Sequence, residues 1–291
     1  MLFFKKIKTK TATEKLFLQQ QKRQKKLISL YSPHVETGFH VSTLKNKPDP
    51  KKYAVEFFNV EKKFFHKEKN NVTTIFENVN LKIKRGEFVI IFGKTGQGKS
   101  TLLNIMSGFE KASAGDVFVN GYNLSLIDDS RLSYFYRDNV SFVFQEPLLL
   151  NEWTPKENIE ISSLLKGKNK SNKRYPNQQV NISLEELLKL TEIEKIIDNE
   201  TVSLSGGEKQ RVNLVRALSK NFEVLFCDEP TGSLDDKTAD KIFEIFKKIN
   251  QLYGKTVVVV THNKRYAKFA TRQIFKLTDN NIEILKRKND T

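Results

Sequence analysis

The chain has 291 residues, 38% of them hydrophobic, with 50 Lys/Arg against 34 Asp/Glu, so that it carries a formal net charge of +16 at pH 7. That length buries a core in one large α/β domain and leaves room for an addition. A single cysteine, Cys227, excludes an internal disulfide and a cysteine metal cluster, and no run approaches the 18 apolar residues of a membrane-crossing helix.

The charge is concentrated at the start. Residues 1–52 hold 13 Lys/Arg against 3 Asp/Glu and so carry +10 of the total, which argues against reading the whole chain as a nucleic-acid binder. The opening MLFFKK has its apolar residues ahead of its lysines and no small-residue cleavage pattern, so it is not read as a secretory signal. Leu16, Phe17 and Leu18, then Leu27, Ile28 and Leu30, flank a QQQKRQKK run. A helix from about Thr13 to Leu30 would be basic with apolar ends and could lie on an anionic membrane surface; the alternative is a solvated arm. Pro48 and Pro50 close the segment as a linker, and the folded domain is expected over 53–286, with 287–291 as a C-terminal tail.

YAVEFFNVEKKFF, from Tyr53, reads as a strand ending in the adjacent aromatics Phe64 and Phe65. A polar turn and a second strand around Thr73 to Phe76 follow. Phe64, at this distance ahead of a phosphate loop, could stack on a purine; a half-buried strand aromatic is the other reading, and Phe65 is the alternative stacker. A third strand, Glu87 to Phe92, then ends abruptly in GKTGQGKST. The pattern G-x-x-x-x-G-K-[ST] is filled by Gly93, Gly98, Lys99 and Ser100, with Gly96 as an extra backbone-opening residue. Glycines there let consecutive N–H groups turn inward on an anion, and the following helix aims its positive dipole end at the same point. Lys99 would reach the β/γ-phosphates, Ser100 would ligate Mg²⁺, and Thr101 would donate toward the α-phosphate; Lys94, Thr95 and Gln97 would contribute backbone N–H groups.

Gly108 is expected to cap that helix, and DVFVNGY to form a strand and an Asn-Gly turn. VSFVFQ, a short apolar strand ending at Gln145, opens a largely helical stretch over about 146–219, broken by a polar surface loop from Gly167 to Gln179. Ser183 and Glu186 have capping-box spacing ahead of Leu187, Leu188 and Leu190. In LSGGEKQR, Ser205, Gly206 and Gly207 stand just before a helix. VLFCDEPTGSLD follows: a buried-type strand ending in Asp228 and Glu229, a pair suited to Mg²⁺ ligation by one carboxylate and water activation by the other. KTVVVVTHN finally delivers Thr261 and His262 to the same sheet edge.

In this order the motifs resemble those of the ATP-binding-cassette (ABC) ATPases, the nucleotide-binding subunits of ABC transporters, over the chain from about Tyr53 to Lys286. The resemblance implies a P-loop NTPase core, a mixed sheet with flanking helices, joined to an antiparallel β subdomain and a helical subdomain insert. Phe64 resembles the adenine-stacking aromatic, Gly93 to Thr101 the Walker A loop, and Gln145 the Q-loop glutamine, which also contacts the metal. Ser205, Gly206 and Gly207 resemble the signature that meets a partner's γ-phosphate. Asp228 and Glu229 resemble the Walker B pair, Ser233, Leu234 and Asp235 the D-loop, and His262 the switch histidine. Asn263 follows it where Asp is common, and the aromatic is Phe rather than Tyr.

The same resemblance implies a mechanism. Two cassettes, identical or merely similar, close around two Mg-ATP, each site using the phosphate loop of one and the signature of the other. Glu229, His262, Lys99 and Gln145 then serve hydrolysis, and Gln145 links the γ-phosphate to the helical subdomain docked on a transmembrane permease. A peripheral place at the cytoplasmic face of the membrane follows. FVFQ, DEPTGSLD and THN are most similar to the lipoprotein-releasing and macrolide-exporter type, so the implied cargo is a lipid-linked, peptide or drug-like substrate. That group includes a cell-division member, so a regulatory ATPase that signals through a membrane partner is the alternative.

Overall fold

The computed structural model describes residues 47–66, 71–164, 183–232, 234–271, 273–278 and 281–286. The helix expected within the basic extension, the loop from Gly167 to Gln179, Ser233 and the tail 287–291 lie outside the described residues.

In chain order the elements are β1 (Tyr53–His66), β2 (Asn71–Lys84), β3 (Phe88–Phe92), α1 (Lys99–Ser107), β4 (Ala114–Val119), β5 (Tyr122–Asn123), α2 (Asp129–Asp138) and β6 (Val140–Val143). There follow α3 (Pro155–Leu164), α4 (Leu184–Thr191), α5 (Gly206–Leu218), β7 (Val224–Asp228), α6 (Asp236–Tyr253), β8 (Thr256–Thr261), β9 (Gln273–Thr278) and β10 (Asn281–Lys286). Two sheets result: an antiparallel one ordered β2-β1-β4-β5, and a mixed one ordered β10-β9-β3-β8-β7-β6 in which β9, β3, β8, β7 and β6 run parallel.

Strand period divides the core. Val89, Ile91, Phe226, Val258 and Val260 face a cluster shared with α1 and the antiparallel sheet, whereas Phe88, Ile90, Leu225, Cys227, Val257 and Val259 face α5 and α6. Central parallel strands covered on both faces must be apolar at every position, and β3 is buried throughout. On α6 the buried residues Ala239, Ile242, Phe243, Phe246 and Ile249 recur at helical spacing, and Phe243 stacks on Tyr266 with centroids 3.7 Å apart.

Several elements differ from the sequence reading, which did not anticipate α2, β9 or β10. Strand β2 runs to Lys84, well past the expected Thr73–Phe76, because Val79, Leu81 and Ile83 alternate inward beyond a left-handed Asn78 (φ 51°). Strand β6 stops at Val143, so Gln145 sits in a loop, and helix starts only at Pro155, where Thr154 and Glu157 satisfy each other's backbone N–H. Helix α5 is not confined to the helical stretch: Val212, Leu214, Val215 and Leu218 sit in the same cluster as β3, β7 and β8. No helix among the described residues is long and apolar enough to cross a membrane.

The β1/β4 ladder is broken between Phe58 and Glu61 by a bulge built from left-handed Asn59 (φ 49°) opposite Gly115 (φ 85°). A Cβ on Gly115 would lie 2.3 Å from the Asn59 carbonyl oxygen, whereas one on Gly254 (φ 61°) would meet nothing within 4 Å. Gly115→Ala therefore combines backbone strain with a clash that no side-chain movement relieves and should destabilise the fold by about 3 kcal/mol or more. Gly254→Ala, with the strain alone, should cost about 1–2 kcal/mol, and equilibrium urea unfolding of both variants measures the difference.

Candidate functional site

The loop after β3 is folded on its own backbone. The Lys94 carbonyl accepts from the Gln97 N–H (3.3 Å) and from the Lys99 ammonium (3.0 Å), and the Gln97 side chain accepts from the Lys94 N–H at 2.6 Å. Gly96 and Gly98 take φ values of 84° and 85°, open to glycine and strained for other residues. A Cβ at Gly98 would stand 2.4 Å from Ile75 Cγ2, so β2 packs directly on the loop, while one at Gly96 would enter open space. Helix α1 starts at Lys99, with the Leu102 N–H bonded to the Gly98 carbonyl, so its free N–H groups face the loop's hollow. Such a hollow suits a phosphate, and Lys99 stands at its rim.

Beside it, β7 ends in the two carboxylates. Ser100 Oγ donates to Asp228 Oδ1 at 3.2 Å, and Lys99 Nζ lies 4.0 Å from Glu229 Oε1. Burial pushes the Asp228 carboxyl above its ordinary range; the Ser100 hydrogen bond pulls it down, Glu229 pushes it up, and Lys99 pulls it down. Glu229 has φ 43°, a conformation that costs a non-glycine residue roughly 1–3 kcal/mol, and it is held there by N–H donation to the Val260 carbonyl at 2.9 Å. Its Oε2 lies 3.0 Å from His262 Nδ1, with the imidazole 60% exposed and the carboxylate largely buried. The carboxylate is thus aimed by a strained backbone and a histidine from the neighbouring strand. A carboxylate so held can act as a proton acceptor.

Ser100 and Asp228 present hard oxygen donors at adjacent positions, the chemistry Mg²⁺ prefers. Among the described residues no three His, Cys, Asp or Glu gather as a metal-binding group, so a cation here would complete its shell with phosphate oxygens and water.

Gln145 packs against the turn after Glu229, where its Nε2 stands 3.1 Å from the position of a Cβ on Gly232. Ser205 caps α5 in a reciprocal box with Glu208, and a Cβ on Gly207 would stand 3.2 Å from Thr238 Cγ2 on α6. Asp235 caps α6 by accepting from the Lys237 and Thr238 N–H groups. The first turns of α5 and α6 therefore pack together, and Lys99, Ser100, Asp228, Glu229 and His262 form a separate constellation. Phe64 is only 8% exposed and carries the Lys62 ammonium 4.5 Å from its ring centroid, whereas Phe65 is 36% exposed.

Sequence reasoning missed several residues of this region. Ile75 walls the phosphate loop. Lys62, fully buried, donates to Glu110 at 2.7 Å and to the Lys111 carbonyl at 3.0 Å, tying the Phe64 strand to the exit of α1. Gln210, 2% exposed, donates to the carbonyls of Phe144 and Pro230. A polar residue on the inward face of an amphipathic helix was the available signal for Gln210, and Ile75 and Lys62 carried none beyond strand alternation.

Comparison with known proteins adds the following. Residues 76–232 match the family described as "ABC transporter". An uncharacterised ABC transporter ATP-binding protein of Methanocaldococcus jannaschii is 41% identical over 208 residues, 71% of this chain and 86% of that protein. The lipoprotein-releasing system ATP-binding protein LolD 1 of Chlorobium chlorochromatii is 37% identical over 201 residues, 69% of this chain and 79% of that one. A solved dimeric structure of the archaeal cassette, in a post-hydrolysis state bound to ADP and Pi, superposes with a TM-score of 0.68 at 37% identity, covering 80% of this chain and 98% of that chain.

A buried carboxylate with a raised pKa opposes folding wherever it is ionised. That penalty is absent below the unfolded-state value near 4 and grows as pH rises from there through the raised folded value. Asp228→Asn should therefore raise the melting temperature of the nucleotide-free protein in EDTA at pH 7, and the gain should shrink as the scan is repeated toward pH 4.

Proposed function

The chain belongs to the ABC transporter ATP-binding family and is an ATPase, and on that premise we propose that it pairs with a second cassette, identical or similar, to close around two Mg-ATP and drive a separate transmembrane permease. The observation that carries this reading is the constellation at the ends of β3, β7 and β8: Lys99 within 4.0 Å of Glu229, Ser100 bonded to Asp228, and Glu229 bonded to His262.

In this reading the Gly93–Thr101 loop binds the triphosphate through backbone N–H groups and Lys99 reaches the β- and γ-phosphates. Bound Mg²⁺, held by Ser100, Asp228 and Gln145, would neutralise charge developing on the transferred phosphoryl group. Glu229 orients and deprotonates the attacking water. His262 fixes that carboxylate and offers its exposed ring to the γ-phosphate. Ser205, Gly206 and Gly207 stand at the start of α5 against the first turn of α6, which Asp235 caps, and in this reading they serve the partner's nucleotide. The purine would stack at the strand end carrying Phe64, whose ring is 8% exposed, with Phe65, 36% exposed, as the alternative stacker. Resemblance to the LolD relative supports export or release of a lipid-linked, peptide or drug-like cargo, with the cassette at the cytoplasmic face of the membrane.

Glu229→Gln keeps the volume and removes the base. Turnover should fall roughly 10²-fold or more, and the variant should accumulate an ATP-bound dimer in size-exclusion chromatography; wild-type turnover overturns the assignment. Affinity capture of the tagged full chain from detergent-solubilised membranes should retrieve an integral membrane protein with a substrate pathway. Retrieval of a partner with only extracytoplasmic signalling domains would count against transport.

A further inference from the structure

The parallel ladder between β6 and β7 runs from Val140/Val224 to Val143/Cys227, and beyond it the two chains diverge, one into Phe144–Gln145 and the other into Glu229–Pro230. Divergence deprives the carbonyls past the ladder of their sheet partners, and a buried carbonyl without a donor is costly. Gln210 fills this gap. Its Nε2 lies 3.1 Å from the Phe144 oxygen and 2.7 Å from the Pro230 oxygen, so both amide hydrogens are used, one on each loop. With two carbonyls as neighbours, the amide must present nitrogen to them. The side chain is 2% exposed, and its Oε1 is buried with no partner among the described residues, so packing leaves it no alternative rotamer in water.

Phe144 immediately precedes Gln145, and Pro230 immediately follows Glu229. Gln210 itself is on α5, one turn beyond Gly206 and Gly207. Arg216, further along the same helix, straps the rest of the first loop through the Pro147 and Leu148 carbonyls. We propose that Gln210 is a positioning residue for hydrolysis: its carboxamide sets the spacing between the Gln145 loop and the Glu229 loop and references both to the helix that begins with Ser205–Gly207. It touches neither nucleotide nor water. The phosphate loop does not depend on it, so nucleotide affinity and turnover are separable.

This inference rests on the roles proposed for Glu229 and Gln145, and the test separates the two. In the full chain, Gln210→Met keeps side-chain length while removing both donors, and Gln210→Glu replaces the donating nitrogen by an acceptor facing two carbonyls. Both should lower kcat about tenfold or more, because displacement of a reacting group by about an ångström can cost 10²-fold, while the Kd for Mg-ATP stays within about threefold of wild type. Hydrogen exchange should quicken in 144–146 and 229–232 and not elsewhere in the sheet. A kcat within about twofold of wild type in both variants overturns the proposal. So does a proportionate loss of kcat and ATP affinity with faster exchange throughout, which marks a residue that only supports the fold. If Glu229→Gln retains wild-type turnover, the catalytic reading fails first; if it loses turnover while the Gln210 variants keep theirs, only the present inference fails.

Discussion

The register of three parallel strands is the constraint on which the site depends. Phe92 of β3 pairs with Thr261 of β8, and Asp228 of β7 pairs with Val260, so the three strands end at one level. Gly93, Glu229 and His262 are the next residues on each, and they emerge side by side because of that alignment. A slip of one residue in β7 or β8 would send Glu229 or His262 to the opposite face of the sheet, and one in β3 would shift the start of the phosphate loop. Burial of these strands on both faces specifies the register strongly, because every position already has an apolar neighbour to lose.

Chemistry at that edge is held under local tension. Glu229 is in a left-handed conformation that its side chain disfavours, Asp228 is kept in a site that opposes its ionisation, and Lys99 is drawn toward both its own loop's carbonyl and the Glu229 carboxylate. The Glu229 backbone costs roughly 1–3 kcal/mol and burial opposes ionisation of Asp228, whereas both Lys99 contacts are attractive. A triphosphate with its cation would supply the missing partners, giving Lys99 phosphate oxygens and Asp228 a positive neighbour. Order and strain together therefore describe a site arranged for a ligand more than for its own stability.

Helix α5 joins two regions that the linear sequence separates. It begins at Gly206, directly after the Ser205 cap, its buried face supplies Gln210 and Arg216 to the loop after β6, and Val212, Val215 and Leu218 pack under the parallel sheet.

Much was legible in order along the chain. The phosphate loop declared itself because glycine is needed where φ is positive, as at Gly96 and Gly98, and because a run of apolar strand must end where an anion site begins. The capping residues Ser183 and Ser205 were readable from local hydrogen-bonding chemistry, and the apolar strands β3, β7 and β8 from composition alone, whereas the capping of α6 by Asp235 emerged only in the fold. What only the tertiary structure decided is which of these pieces meet: the Glu229–His262 and Ser100–Asp228 bonds, Ile75 against Gly98, and the two carbonyls shared by Gln210. The reason is that such contacts join residues tens to more than a hundred positions apart, through strand register and helix packing, which no local periodicity encodes. The continuation of β2 past Asn78 and the late start of α3 likewise depended on a bulge and a loop stabilised by partners distant in sequence.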